Sequence, residues 1–483
     1  MSSSAMRRAW MLVFLIIAQI SCRKLIEVDA PVTSVNAANV YTNDATAAAV
    51  LTGIYTKISD QNYDLTLPDN ITGMSLFPSL SADDLALYNL SNPTLVPYYK
   101  NDLSSLTASG GVFWNGIYSI IFVANSAIEG MNNSAGLTPE VKQQLLGEAK
   151  FVRAFCYFYL VNLYGDAPLV LTSDYKINSL LPRVPKEQIY QQIIADLKDA
   201  QIYLSSNYLM SDALSAYAIG TEERVRPTKW AATALLARAY LYTGDYVNAE
   251  AQATTVISNS SLYSLSSLNN VFLKNSKEAI WQLQPVRTGT QSNTGEGALF
   301  ILPATGPDAA GFPVYLSNTL INGFEAGDQR RTNWVDSVTA GGITYYYAFK
   351  YKIGMADAAT AEYIMIMRLA EQYLIRAEAR AQQNNISGAQ SDLDEIRGRA
   401  TLSPISANDK ASLLMAILHE RQVELFTEWG HRWFDLKRTG SIDTVMAAIA
   451  PGKGGSWSPF KALYPIPSEE KGLDPNLTQN PGY

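Results

Sequence analysis

Ala237, Ala249, Ala253 and Val256 have counterparts in Ala377, Ala389, Leu393 and Ile396, each displaced by the same interval along the chain. Both sets lie in stretches where apolar residues recur every three or four positions, the period of one helix face. The same period runs through 113–129, 149–163, 189–204, 230–242, 362–381, 391–400 and 413–426. Small residues facing each other across two helices let the backbones approach closely, and a larger apolar contact further on completes the seam. A duplicated seam of this kind predicts stacked helix pairs and a mainly α chain.

The spacing is that of tetratricopeptide units, whose period is about 34 residues, and the interval from Ala237 to Ala377 is close to four of them. Turns fall where the pairs require them: Thr243-Gly244-Asp245 ends the first helix of one copy, and 384–388 ends that of the other. The expected architecture is a superhelical scaffold of helix-pair repeats with little β structure. Between the repeats, 287–317 is rich in Gly, Thr and Pro and leads into Tyr345-Tyr346-Tyr347, a β-leaning aromatic cluster. A long loop inside a folded body is disordered or functional, and the apolar and aromatic content of this one favours order.

Of the 483 residues, 47% are hydrophobic and only 17% are Asp, Glu, Lys or Arg, below the roughly 25% of an average chain. The net charge of −7 lacks the basic excess that phosphate neutralisation requires, so nucleic acid is not an expected partner. Two Cys and two His are too few and too scattered for a His- or Cys-based metal site, a disulfide framework or a redox pair. No metal or cofactor is expected.

Arg7 and Arg8 precede an apolar run at 9–18 and then Gln19, Ile20, Ser21 and Cys22, the layout of a secretory signal. The run is too short to span a bilayer, and no later segment approaches the ~20 apolar residues a spanning helix needs. A small residue directly before Cys22 resembles a bacterial lipobox, with Gln19 where Leu is usual. The reading is a signal peptide at 1–21, a lipidated Cys22 with an extended tether at 22–45, and a folded body at 46–483. That body divides into a helical half at about 46–270, a loop-rich insertion at about 285–360 and a second helical half at about 361–483. Asp44 is expected to cap the first helix.

In 420–438, Glu420, Glu424 and Glu428 fall at successive i+4 positions and would repel one another unless paired. Arg397, Arg399, Arg421, Arg432 and Arg438 are the available partners, and a buried structural ion network is the reading. His419 and His431 have no Cys and no further His nearby, and no metal role is assigned to them. Phe151, Phe155, Phe158 and Tyr159 cover more than one face of their helix, which places it between neighbours; Cys156 among them reads as a small core hydrophobe. Asp83-Asp84 is the one adjacent carboxylate pair in a loop-like, aromatic-rich stretch. A glycosidase needs two carboxyls converging across a sugar ring, and adjacent residues point apart. No nucleophile elbow, P-loop, dinucleotide turn or zinc-protease helix is present, so no catalytic residue is assigned and the chain is read as a non-enzyme.

Several segments, taken together and in order, resemble the SusD/RagB family of Bacteroidetes surface lipoproteins. They are SCRKLIEVDAP at 21–31, AKFVRAFCYFYLVNLYGDAPLV at 149–170, RPTKWAATALLARAYLYTGDYVNA at 226–249, the pair EYIMIMRLAEQYLIRAEARA and DLDEIRGRATL, ERQVELFTEWGHRWFDLKR at 420–438 and YPIPSEEKGLDPNLTQNPGY at the C-terminus. The resemblance implies a surface-exposed, lipid-anchored outer-membrane protein that binds oligosaccharides or polysaccharide fragments. It also implies a TonB-dependent outer-membrane transporter (SusC-like) as partner, with the lipoprotein as its lid. The same architecture with oligopeptide cargo, or a tetratricopeptide-type protein-interaction scaffold, are the alternatives.

Sugar rings present C–H faces that stack on aromatic side chains and hydroxyls that need amide or carboxylate partners. In the family the ligand lies on loops of the N-terminal part and of the middle insertion. The stretches of this chain in those places are 83–99, with Asp83, Tyr88, Asn89, Tyr98 and Tyr99, and 311–334, with Phe312, Tyr315 and Trp334. Trp114, Trp230, Trp281 and Trp433 sit in core contexts and are left out.

Overall fold

A computed structural model describes residues 40–60, 71–106, 111 and 113–483. The signal at 1–21, Cys22 and the tether as far as residue 39 lie outside the described residues.

Helix α1 (Asp44–Ser59) starts at Asn43, whose side chain accepts from the Thr46 N–H. The cap is thus one residue earlier than expected, and Asp44 instead holds Thr138, accepting from its N–H at 2.9 Å and from its hydroxyl at 2.6 Å. Helices α2 (Trp114–Asn133) and α3 (Pro139–Tyr164) form an antiparallel pair, with α4 (Lys186–Tyr203) on the other side of α3. From Phe151 to Val161 every side chain of α3 is buried. A helix apolar all round must be enclosed by others. Phe155 lies edge-on to Tyr159 and to Trp281, at 4.9 and 5.2 Å between ring centres. Cys156 is buried among them, and burial pushes its thiol far up, as befits a core hydrophobe. Gly165 ends the helix with φ +73°, a backbone setting that favours glycine.

The two repeat copies are α5 (Lys229–Tyr242) with α6 (Tyr246–Ile257), and α7 (Leu369–Gln382) with α8 (Ile386–Arg399). All eight residues matched between the copies are fully buried. Each copy turns on a left-handed residue, Gly244 (φ +76°) or Asn384 (φ +62°), and restarts on a side-chain cap, Asp245 or Asn385. Helix α6 packs on α7, so the copies form a continuous stack. Helix α9 (Lys410–Leu425) closes it, and α10 (His431–Arg438) follows.

Strands are short and few among the described residues. The start of the stretch read as helix at 362–381 is instead a strand, Ile364–Arg368, paired antiparallel with Ala279–Leu283. Every residue of both strands is buried. Short apolar runs fit a two-sided buried strand as well as a helix, and here the partner strand decided. Val335–Ala340 and Ile343–Ala348 form a hairpin closed by Gly341 and Gly342, both at positive φ. Two further strands, β1 (Leu85–Leu87) and β2 (Val314–Leu316), pair antiparallel and carry the candidate site.

Candidate functional site

The ladder between β1 and β2 joins the two loop stretches singled out in the sequence, pairing Ala86 with Tyr315 although nearly half the chain lies between them. It continues past both ends, since the Tyr88 N–H donates to Pro313 O at 2.8 Å and the Ser317 N–H to Asp84 O at 2.9 Å. Tyr88 and Tyr315 therefore flank Tyr345 of the hairpin. Their ring centres lie 5.9 and 5.1 Å from that of Tyr345, both edge-on. Tyr88 is 46% exposed, Tyr315 half-buried and Tyr345 buried beneath them. Leu302, Tyr345 and Tyr347 form a small apolar core of their own, with Phe312, Tyr315 and Phe349 on its edge. The result is an aromatic ridge supported from below by apolar packing.

Polar groups border the ridge. Asn89 next to Tyr88 accepts from the Ser91 N–H at 2.9 Å, shaping the loop. Asp308 Oδ1 takes the N–H groups of Ala310, Gly311 and Phe312, which fixes the turn that presents Phe312. Burial works to raise the Asp308 carboxyl, but the N–H donors of Gly311, Ala310 and Phe312 together hold it below its usual value. Behind this turn a cavity of about 180 Å³ is lined by Arg287, Gln291, Asn293, Leu299, Gly311 and Met355 among others. Tyr99 is half-buried under the Lys453 ammonium, 4.9 Å from its ring centre, and burial and then Tyr315 push its phenol up.

Three residues expected to reach ligand lie in the interior. Tyr98 is fully buried against Phe77 and Tyr464, at 4.6 and 5.4 Å, because its short helix (Leu95–Tyr99) turns it inward. Asp83 accepts a two-pronged ion pair from Arg432, 2.7 Å at each oxygen, and is 2% exposed. Trp334 is fully buried, its indole N–H donating to Leu268 O at 2.8 Å and its ring facing Lys350 at 4.9 Å. A loop position in the sequence did not reveal which of its side chains faces the body. Tyr345 was missed as a ridge residue. The alternation of Tyr345-Tyr346-Tyr347 was the available signal, since it puts Tyr345 and Tyr347 on one face and leaves Tyr346 to stack with Arg331 at 4.6 Å.

Beside Trp334 lies the ion network. Glu424 accepts from Arg368 at 2.5 Å, from Arg330 at 3.0 Å and from Arg399. Glu420 pairs with Arg330 at 2.5 Å and with Arg397 at 3.3 Å. Glu428 pairs with Lys350 at 2.5 Å and with Arg368 at 2.7 Å. Burial works to raise the Glu424 carboxyl, yet Arg399, Arg368 and Arg330 together hold it far below the carboxylate range. Of the five expected arginines only Arg397 and Arg399 serve these glutamates. Arg421 pairs with Asp435, Arg432 with Asp83, and Arg438 with Asp435 and Glu378. Arg330 and Arg368, distant in sequence, take their places. Burial, followed by the neighbouring Arg238 and Arg421 charges, holds the His431 imidazole well below its usual value, and the His419 ring nitrogen contacts Gly323 O at 2.7 Å.

A repeat-built helical scaffold with a locked interior and an aromatic ridge on paired loops defines a class of binding protein. The comparisons give that class a family. Residues 310–483 match the model of the SusD family, and 90–241 match the model described as starch-binding, associating with outer membrane. The SusD-like protein P25 of Formosa agariphila is 24% identical over 97% of this chain and 97% of its own. The starch-binding protein SusD of Bacteroides thetaiotaomicron is 24% identical over 73% of this chain and 75% of its own. The crystal structure of a SusD superfamily protein from Bacteroides vulgatus superposes with a TM-score of 0.75, covering 91% of this chain and 99% of that one at 20% identity. The two family models, the relatives and the solved structure together support the SusD/RagB family for this chain.

Proposed function

We propose that the protein captures oligosaccharides or polysaccharide fragments on the ridge of Tyr88, Tyr315 and Phe312 and passes them to a TonB-dependent outer-membrane transporter. The observation that carries the reading is the β1–β2 ladder, which brings aromatic residues from two remote loops to one partly exposed surface bordered by Asn89, Asp308 and the cavity behind Gly311. Stacking of C–H faces on such rings, with amides and carboxylates for the hydroxyls, is what a saccharide requires. A relative named as starch-binding and a matching family model described in the same terms support the class of ligand. The same model's association with the outer membrane agrees with lipidation at Cys22, and the body at 46–483 acts as one ligand-capturing unit. Binding is the whole activity in this reading; no bond is made or broken.

The test is binding of the full-length protein in detergent to a panel of soluble polysaccharides, their oligosaccharides and mixed peptides. Retention by one glycan, weakened roughly fivefold or more in both Tyr88→Ala and Tyr315→Ala, is the expected result, since one aromatic contact is worth about 1 kcal/mol. Glycan binding that neither variant weakens would move the site off the ridge. Binding of peptides alone would replace the cargo and keep the lid-and-transporter architecture.

A further inference from the structure

A second cavity, of about 880 Å³, is built from other elements than the ridge. It lies between the end of α3, the start of α4, the end of α5, the end of α10 and the segment 479–481. Its size falls within the range of sites for small organic molecules, a few hundred to about a thousand Å³. Tyr190 and Tyr242 give it aromatic surface, and Gln191 and Gln479 give it amides.

The charges on its wall do not cancel. Arg438 is fully paired, with Asp435 at 2.8 Å and with Glu378 at 2.5 and 2.7 Å. Lys437 beside it donates to the backbone oxygen of Asn162 and has no carboxylate partner among the described residues. Arg183 likewise meets only uncharged acceptors: Asp166 O at 2.7 Å, Thr478 O at 3.4 Å and the Asn480 side chain. Lys186 is the third cation. Against these stand Glu187 and Asp166, and one Asp166 oxygen is already engaged by the Lys186 N–H at 2.9 Å. The Tyr242 hydroxyl on the same wall is buried with no hydrogen-bond partner among the described residues. An ammonium and a hydroxyl donor held at a cavity short of acceptors cost stability unless something supplies them.

We propose that this cavity binds an anion of carboxylate or sulfate type, with Lys437 as its charge partner and the Tyr242 hydroxyl as a second donor. Burial and then the like charge of Lys186 push Lys437 down to about 7, the response of an ammonium that has no counter-ion. Charge-assisted hydrogen bonds are the strong ones, so the anion gains most where the cation is least compensated. Rings and amides around that point suit an acidic sugar as well as a simpler anion.

Titration calorimetry of the full-length protein in detergent at constant ionic strength tests this with sodium sulfate, galacturonate and neutral galactose. Wild type is expected to bind sulfate or galacturonate and not galactose through this cavity. Tighter galacturonate identifies an acidic sugar as the occupant, and sulfate alone an inorganic anion. Lys437→Met should lose tenfold or more in affinity while melting no lower than wild type, because it removes an uncompensated charge. Lys186→Gln, an exposed change, should lose severalfold and carries the test if the first variant does not fold. Tyr88→Ala should keep anion binding intact, which separates this site from the ridge. Silence towards both anions, or unchanged affinity in Lys437→Met and Lys186→Gln, overturns the proposal.

Discussion

Glu424 divides its carboxylate among Arg330, Arg368 and Arg399, and none of the four is more than 8% exposed at the side chain. Glu424→Gln keeps the volume and removes the charge the three guanidiniums share, leaving Arg330 with Asp328 and Glu420, Arg368 with Glu278 and Glu428, and Arg399 with Glu278 alone. Breaking a buried pair in this way costs about 3–5 kcal/mol, read as a shift of the urea midpoint at unchanged slope. Asp84 presents the opposite case. It is 1% exposed, and neither carboxylate oxygen has a hydrogen-bond partner in range among the described residues. Burial, and then the charge of Asp83, pushes it up to about 7 from an ordinary 3.8. A raised carboxyl keeps its proton in the folded state while the unfolded chain loses it, so stability falls as pH rises from about 4 to about 7 and then levels. Asp84→Asn has no such loss. The variant should gain on wild type across that window, by a few kcal/mol at most, in denaturation at pH 4, 6 and 8; a constant difference would mean that Asp84 ionises normally. At this scale the sequence was only partly legible. The i+4 glutamates announced a network, but Arg330 and Arg368 join it from far outside their helix, a separation no local pattern reports.

The helix pairs were legible because their signal is local and duplicated. Small residues at matching positions, a left-handed residue at each turn and a side-chain cap after it are all written within a single helix pair. Ala377 is fully buried in the small core that its own pair shares with α9. Ala377→Leu should therefore overpack the seam and cost about 1–3 kcal/mol, and Ala237→Leu should cost a similar amount at the matching place in the other copy. Chemical denaturation of both measures it, and a cost in one copy alone would show that the two seams are not equivalent. Short strands were harder, since each depends on a partner elsewhere in the chain. The β1–β2 ladder could not be read from either stretch alone, and the buried strand Ile364–Arg368 took the look of a helix start. The candidate site inherits that limit. Loop stretches could be chosen from the sequence, but which rings would share the ridge was decided by the long-range pairing of Ala86 with Tyr315.

At the scale of the molecule, the ridge, the repeat stack and the N-terminus have to serve one task. The described body begins at Val40, where Tyr41 O accepts from the Ser134 hydroxyl at 2.5 Å at the end of α2. From Cys22 to that point the chain can reach at most roughly 60 Å, at about 3.4 Å per residue. On the proposed function, a segment of this reach would let a lipid-anchored body stand clear of the bilayer and still close over a partner in the same membrane. No helix among the described residues is long and apolar enough to cross a membrane; in the proposed function the anchor is the acylated Cys22. Two or three acyl chains give stable attachment where one gives only marginal binding. Cys22→Ala removes the acceptor and leaves the folded body untouched. The variant should move from the membrane pellet to the soluble fraction while its glycan binding and its melting temperature stay at wild-type values. A variant that still sediments with membranes would place the attachment in protein–protein contact with the transporter, and washing at high salt or loss of that transporter would then release it.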